Sequence, residues 1–260
     1  MQCLFGIALL FFSGQSVAGD SIKIAIIIDD LGHNYTVGKK LIDMPYQMTY
    51  AILPQRPYSV QLANLAADHG KEVMVHLPMQ SSDYQELGSG ALTMEQTRQQ
   101  FMRTVRESIE AVPNAKGVNN HMGSLLTRHP GHMTWLMQTL SLENGNLYFV
   151  DSKTTAQTIA GQIAREHFVP SITRDVFLDS VQNEDDITNQ LTLLLQLARE
   201  KGHAVAIGHP YPETIASLKN FLPRLAEENI EVVPVTRLVK LYNQRIWPRY
   251  SYHLPTAVKN

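Results

Sequence analysis

Two adjacent carboxylates, Asp29 and Asp30, close the apolar run Ile22-Lys23-Ile24-Ala25-Ile26-Ile27-Ile28. Neighbouring carboxylates repel, and burial penalises the charge on both. A metal ion relieves that cost by taking one carboxylate as a ligand and leaving the other free as a base. Further groups suited to such an ion end short apolar runs along the chain: His76 in His76-Leu77-Pro78-Met79-Gln80, His121 in Asn119-Asn120-His121-Met122-Gly123-Ser124, then Asp151-Ser152, Arg174-Asp175 and His209-Pro210-Tyr211. Neutral imidazole plus carboxylate is a normal ligand set for catalytic zinc, with water in the open position. Water held there is acidified toward neutral pH and becomes a nucleophile. The chemistry in view is metal-assisted hydrolysis, in which a carboxylate takes a proton and a histidine returns one to the leaving group.

Each residue also has a plainer role. A single aspartate after a strand often caps the next turn, and a lone histidine is as readily a satisfied core residue. Asn119 and Asn120 are suited to bonding loop backbone, and Ser152 and Lys153 to forming a turn. The pairing of Asp29 with Asp30, and histidine at three strand ends, point instead to one shared site. His33, His69, His129, His132, His167 and His203 read as surface or structural, and the methionines as core filler. No Gly-x-Ser-x-Gly elbow, Gly-rich phosphate loop or His-Glu-x-x-His pair occurs.

The elements that must position these groups alternate strand and helix from residue 21 onward. Strands are predicted at Ile22–Asp29, Met48–Leu53, Glu72–Leu77, Gly117–His121, Leu147–Asp151, Ile172–Leu178, Ala204–His209 and Glu231–Val235. One helix opens at Arg56-Pro57-Tyr58-Ser59 and stops at Gly70. A capping box at Thr93-Met94-Glu95-Gln96 starts another that runs to about Val112. Others span Asp185 to Lys201 and Pro212 to Asn229, the latter interrupted by Pro223. About eight such repeats imply an α/β fold with one parallel sheet and outer helices, closed or nearly closed into a (β/α) barrel. A doubly wound open sheet is the alternative. In a barrel the strand ends named above form a single rim.

The ends of the chain differ from its body. Leu4 to Phe12 is a short apolar core, and Ser16-Val17-Ala18 offers small residues before a cleavage point at Gly19. Residues 1–18 read as a secretory signal peptide, although no Lys or Arg flanks the start. Export, with the periplasm as destination, is the expectation. Cys3, the only cysteine, leaves with it. Residues 19–243 form the expected catalytic domain and 244–260 a C-terminal extension. The net charge of −2 gives no reason to expect nucleic acid or an anionic membrane as partner. After residue 20 no stretch is apolar enough to span a bilayer, and the oligomeric state is left open.

Five motifs together resemble the divergent polysaccharide deacetylase family, a branch of the NodB-like carbohydrate esterases: Ile28-Asp29-Asp30-Leu31-Gly32, His76-Leu77-Pro78-Met79, Gly117-Val118-Asn119-Asn120-His121-Met122-Gly123-Ser124, Val150-Asp151-Ser152 and Ala206-Ile207-Gly208-His209-Pro210. The resemblance covers about residues 21 to 243. It implies a distorted (β/α) barrel of seven or eight mostly parallel strands, zinc or another divalent metal, and a carbohydrate substrate. It further implies Asp29 as base, Asp30 and His76 as metal ligands, and His209 as general acid. The superfamily's second motif is His-x-x-x-His, but Gln80 occupies the second histidine's place here. His121 is the replacement ligand, making the shell Asp30, His76 and His121. The usual arginine-proline motif of the fourth strand is replaced by Asn119-Asn120-His121. Asp151 and Arg174-Asp175 compete for the motif that tunes the histidine. With Asn119, Asn120, Ser124 and Ser152 they make up the expected substrate-binding or supporting set.

The implied activity is removal of an N- or O-acetyl group from a cell-envelope carbohydrate. The alternatives are a carbohydrate-binding or scaffold protein that keeps the fold without turnover, and a metallohydrolase of another bond.

Overall fold

The structure, a computed structural model, describes residues 21–83, 87, 88, 90–142 and 147–246. The expected signal peptide and most of the expected C-terminal extension lie outside these residues. Nine strands form one sheet: β1 (Ile22–Leu31), β2 (Thr49–Ile52), β3 (Glu72–Met79), β4 (Ala115–Met122), β5 (Tyr148–Asp151), β6 (Ser171–Thr173), β7 (Val176–Phe177), β8 (His203–Gly208) and β9 (Ile230–Val232). Their order is β6-β5-β4-β3-β2-β1-β8-β7, with β9 paired to β1, and every pairing is parallel. Among the described residues eight α-helices accompany them: α1 (Tyr35–Ile42), α2 (Ser59–Asp68), α3 (Arg98–Glu110), α4 (Pro130–Leu142), α5 (Ala160–Glu166), α6 (Glu184–Lys201), α7 (Pro212–Phe221) and, after the last strand, α8 (Val235–Ile246).

Period-two alternation along the strands divides the apolar residues into two cores. Ile24, Ile26 and Ile28 face outward onto the helices, while Ala25 and Ile27 face inward. Met74, Tyr148, Val150, Ile172, Val205 and Ile207 share that inner face with Val235, Leu238 and Val239 of α8. Helix α8 therefore plugs the end of the curled sheet where the strands begin. Its first N–H groups are held from those strands. Thr49 Oγ1 accepts from Val235 N, and Glu72 Oε1 accepts from Thr236 N, Thr49 Oγ1 and Tyr148 Oη. A carboxylate there also complements the positive end of the helix dipole. Tyr148 needs a bare neighbour: a Cβ on Gly117 would lie 2.3 Å from its ring.

The sheet is a distorted barrel with one seam. Arg174 N donates to Asp151 O of β5, and the next residue, Asp175, donates through N to Val205 O of β8. The chain thus passes from one edge of the sheet to the other within two residues. The single strand expected over Ile172–Leu178 is broken there into β6 and β7. The inward positions change phase across the break: Ile172 packs on the inner core before it and Phe177 after it.

Three other expectations shift. The strand expected over Glu231–Val235 ends at Val232, and Val235 already opens α8. The capping box of α3 is Thr97 with Gln100, not Thr93 with Gln96. Gln96 Oε1 does accept from Thr93 N, but that bond closes a turn ahead of the helix. Pro223 converts the end of the long helix expected to Asn229 into a 3₁₀ segment, Leu222–Glu228.

Candidate metal and catalytic site

The inward stripes change character as they leave the plug. Ala25-x-Ile27 leads to Asp29, Met74 to His76, Val205-x-Ile207 to His209, and Val150 to Ser152, so polar groups converge at the C-terminal mouth. Alternation alone would turn Asp30 away from Asp29. A bulge prevents this: Ile28 pairs with Tyr50 and Leu31 with Ile52, so β1 carries one residue more than β2 across that interval. Asp30 absorbs it in the left-handed region (φ 58°), a conformation that aspartate tolerates better than most residues.

Asp30 Oδ1, His76 Nε2 and His121 Nδ1 form a nearly equilateral triangle. The separations are 3.1 Å from Asp30 to His76, 3.0 Å from Asp30 to His121, and 3.1 Å between the two imidazoles. These three residues are the His/Asp cluster able to hold a metal ion among the described residues. The fit follows from donors and acceptors. The Asn119 amide donates to Asp29 Oδ1 and accepts from His76 Nδ1, both at 2.8 Å. Asn119 thereby commits the Nδ1 hydrogen of His76 and leaves Nε2 to present a lone pair when the ring is neutral. Asp30 Oδ1 is buried with no aligned hydrogen-bond donor. Facing lone pairs require a proton or a cation between them.

Without a cation, protons do the work. Burial acts against the charged form of His76, but Asp29 and Asp30 outweigh it and push its pKa up to about 9. Burial acts to raise Asp30, but the contacts with His121 and His76 prevail and hold it well below the usual carboxylate range. Asp29, wholly buried, is raised, chiefly by desolvation.

His209 stands opposite. Its Nδ1 donates to Asp179 Oδ1 at 2.8 Å, and its Nε2 faces the cluster, 3.8 Å from Asp30 Oδ2. Asp179 is held in turn by the His209 N–H and the Thr214 hydroxyl. Burial opposes the charged imidazole, yet the Asp179 hydrogen bond and the charge of Asp29 raise its pKa overall. Asp29, His76, His121 and His209 line a cleft of about 370 Å³, together with Arg174 and Lys153.

The remaining expected residues fall in several places. Asn120 accepts from Ser152 N and donates to Met122 O, tying the ends of β4 and β5 together beside the cleft. Arg174 spans Ser152 O and Lys153 O and lies over the Phe177 ring. Ser124 accepts from Ser82 N and so fastens the loop after β3. Asp151 accepts from Lys153 N and Thr158 Oγ1, and Asp175 pairs with Lys201 and accepts from Val205 N. The carboxylate against His209 is thus that of Asp179. The sequence offered one signal for it: Asp179 follows the apolar run Val176-Phe177-Leu178, as Asp29 follows β1. Gln80 also has a definite task, accepting through Oε1 from Met94 N while its backbone bonds Leu92.

The profile of the divergent polysaccharide deacetylase family matches residues 26–239. The uncharacterized protein YibQ of Escherichia coli K12 is 39% identical over 84% of this chain and 67% of its own length. An uncharacterized protein of Agrobacterium tumefaciens C58 superposes with a TM-score of 0.80 at 24% identity, covering 85% of this chain and 90% of that one. A CE4 family pseudoenzyme from Bacillus anthracis superposes with a TM-score of 0.53 at 14% identity, covering 85% and 66%. The barrel is thus NodB-like, and with 26–239 matched this chain belongs to the divergent polysaccharide deacetylase family.

Proposed function

We propose that this protein is an exported, zinc-dependent hydrolase that removes acetyl groups from a carbohydrate of the cell envelope. The observation that carries this reading is the placement of Asp29. It is a buried carboxylate with a raised pKa, 3.6 Å from His76 and facing the same cleft as His209. A carboxylate serving only to hold a metal would not need a neighbour of its own kind kept out of the ligand triangle.

Asp30, His76 and His121 would hold the ion, which when bound supplies Lewis acidity to an acetyl carbonyl and to water. Asp29 takes the proton from the attacking water, and Asn119 keeps its other oxygen fixed while this happens. His209, charged and oriented by Asp179, gives a proton to the departing amine or alkoxide through Nε2. Export is supported by the apolar N-terminal segment with its small-residue cleavage point.

A binding protein without turnover is the second reading. It is favoured by one observation, that Gln80 is committed to the Met94 backbone where the superfamily pattern has a ligand. Zinc stoichiometry, together with acetate release from acetylated oligosaccharides, decides between them. The hydrolase reading expects one zinc per chain, lost in His76→Ala and His121→Ala. It also expects Asp29→Asn to keep its zinc while acetate release falls about a thousandfold. Full zinc with no acetate from any acetylated glycan would leave the binding reading.

A further inference from the structure

A second cavity, of about 320 Å³, borders the triangle, its wall formed by Asp30 and His121 with Arg56, His33 and Gly88. Its size falls within the ordinary range for small-ligand sites. Arg56 is built into this wall. Its backbone N–H donates to Ser59 Oγ, and its side chain passes between two glycines with positive φ. A Cβ on Gly32 would lie 3.0 Å from Arg56 Cβ, and one on Gly88 would lie 2.6 Å from Nη2. The guanidinium bonds weakly to Leu87 O at 3.4 Å, and its buried Nε has no hydrogen-bond partner. Among the described residues no carboxylate forms an ion pair with it, although Asp30 lines the same cavity. A guanidinium held in a fixed position beside a cavity is suited to a planar oxyanion, which it grips through two parallel N–H bonds.

We propose that Arg56 binds an oxyanion, carboxylate or phosphate, carried on the sugar next to the one that is deacetylated, so that the substrate is an acidic glycan. This rests on the hydrolase reading for which end of the glycan reacts. The two cavities share His121, so a chain lying across the ion places one sugar toward Asp29 and His209 and the next toward Arg56.

The test measures binding by titration calorimetry on the zinc-loaded protein. The probes are a neutral N-acetylglucosamine tetramer, a tetramer of equal length with carboxylate-bearing lactyl sugars, the same tetramer with those carboxylates converted to methyl amides, and a phosphorylated tetramer. The native protein is expected to bind at least one anionic tetramer about tenfold more tightly than the neutral one, the worth of one charge-assisted pair. The winning arm identifies the anion. Arg56→Gln removes the preference and leaves zinc content and neutral binding unchanged, while Arg56→Lys keeps part of it. Should Arg56→Gln fail to fold, Gly88→Ala displaces the guanidinium by contact and carries the same expectation. Equal binding of all four tetramers overturns the proposal, as does an Arg56→Gln protein that weakens neutral and anionic binding alike. Acetate released without any anionic preference sinks the subsite and spares the hydrolase. Anionic preference with no acetate from any probe does the reverse.

Discussion

Two carboxylates at opposite ends of the barrel show what decides the fate of a charge. Glu72, where the strands begin, collects three donors on one oxygen: the hydroxyls of Thr49 and Tyr148 and the N–H of Thr236. Asp30, where β1 ends, has an oxygen buried among two imidazoles and no aligned donor. The first charge is satisfied by the protein and serves to seat α8. The second is left for a cation. One set of strands therefore seats a helix at one mouth and a candidate metal site at the other, and the difference lies in which donors reach the carboxylate.

Replacing each acid in turn tests that division most severely. Asp30→Asn should lower zinc affinity at least about a hundredfold and take acetate release to background, with the far-ultraviolet circular dichroism of the native fold retained. Glu72→Ala should do the opposite. It leaves the Thr236 N–H and the hydroxyls of Thr49 and Tyr148 without their acceptor and costs about 2–4 kcal/mol in denaturant unfolding, with zinc per folded chain unchanged. Zinc loss in the Glu72 variant, or unfolding in the Asp30 variant, would break the comparison.

A smaller effect sharpens it. Asp179→Asn removes the carboxylate that orients His209, so acetate release should fall about ten- to a hundredfold with zinc retained. Because Asp179 raises the His209 pKa, its loss should also move the alkaline limb of the pH–rate profile to lower pH. A profile that drops in height without moving would make Asp179 a packing residue only.

The smallest expected effect is in pH-dependent stability. In metal-free protein the His76 pKa is raised from 6.5 to about 9. A raised folded-state value contributes stability that is fully present below the unfolded pKa and lost as pH rises through the folded one. The melting temperature of the metal-free protein should therefore decline between about pH 6.5 and 9, while zinc binds more tightly over the same window because it displaces that proton. A flat melting curve across this range would mean that His76 is neutral without metal.

Much of this arrangement is legible in the residue order. The isoleucine run of β1 demands burial on both faces, and the polar groups after it mark the mouth. The strand ends at His76, His121 and His209 were visible as histidine closing short apolar runs. What could not be read depends on contacts between distant segments. The break at Arg174-Asp175 arises because two different neighbours, β5 and β8, claim successive amides. Thr93-Met94-Glu95-Gln96 and Thr97-Arg98-Gln99-Gln100 carry equivalent capping patterns, and the helix that forms starts at the second and buries Phe101 and Val105. Asp179 gains its meaning from His209, thirty residues away. Arg56 read only as part of a helix opening and His33 only as surface or structural, and the fold brings them to one cavity.

The left-handed turn at Asp30 narrows the substitutions open to this family member. Glycine and asparagine accept such a backbone readily but bring no anionic ligand. Glutamate would restore the charge but sits poorly at φ 58° and reaches one methylene too far. No single replacement suits both that backbone and a cation, so if the proposed metal is bound, a lineage that abandons this aspartate would abandon the metal with it.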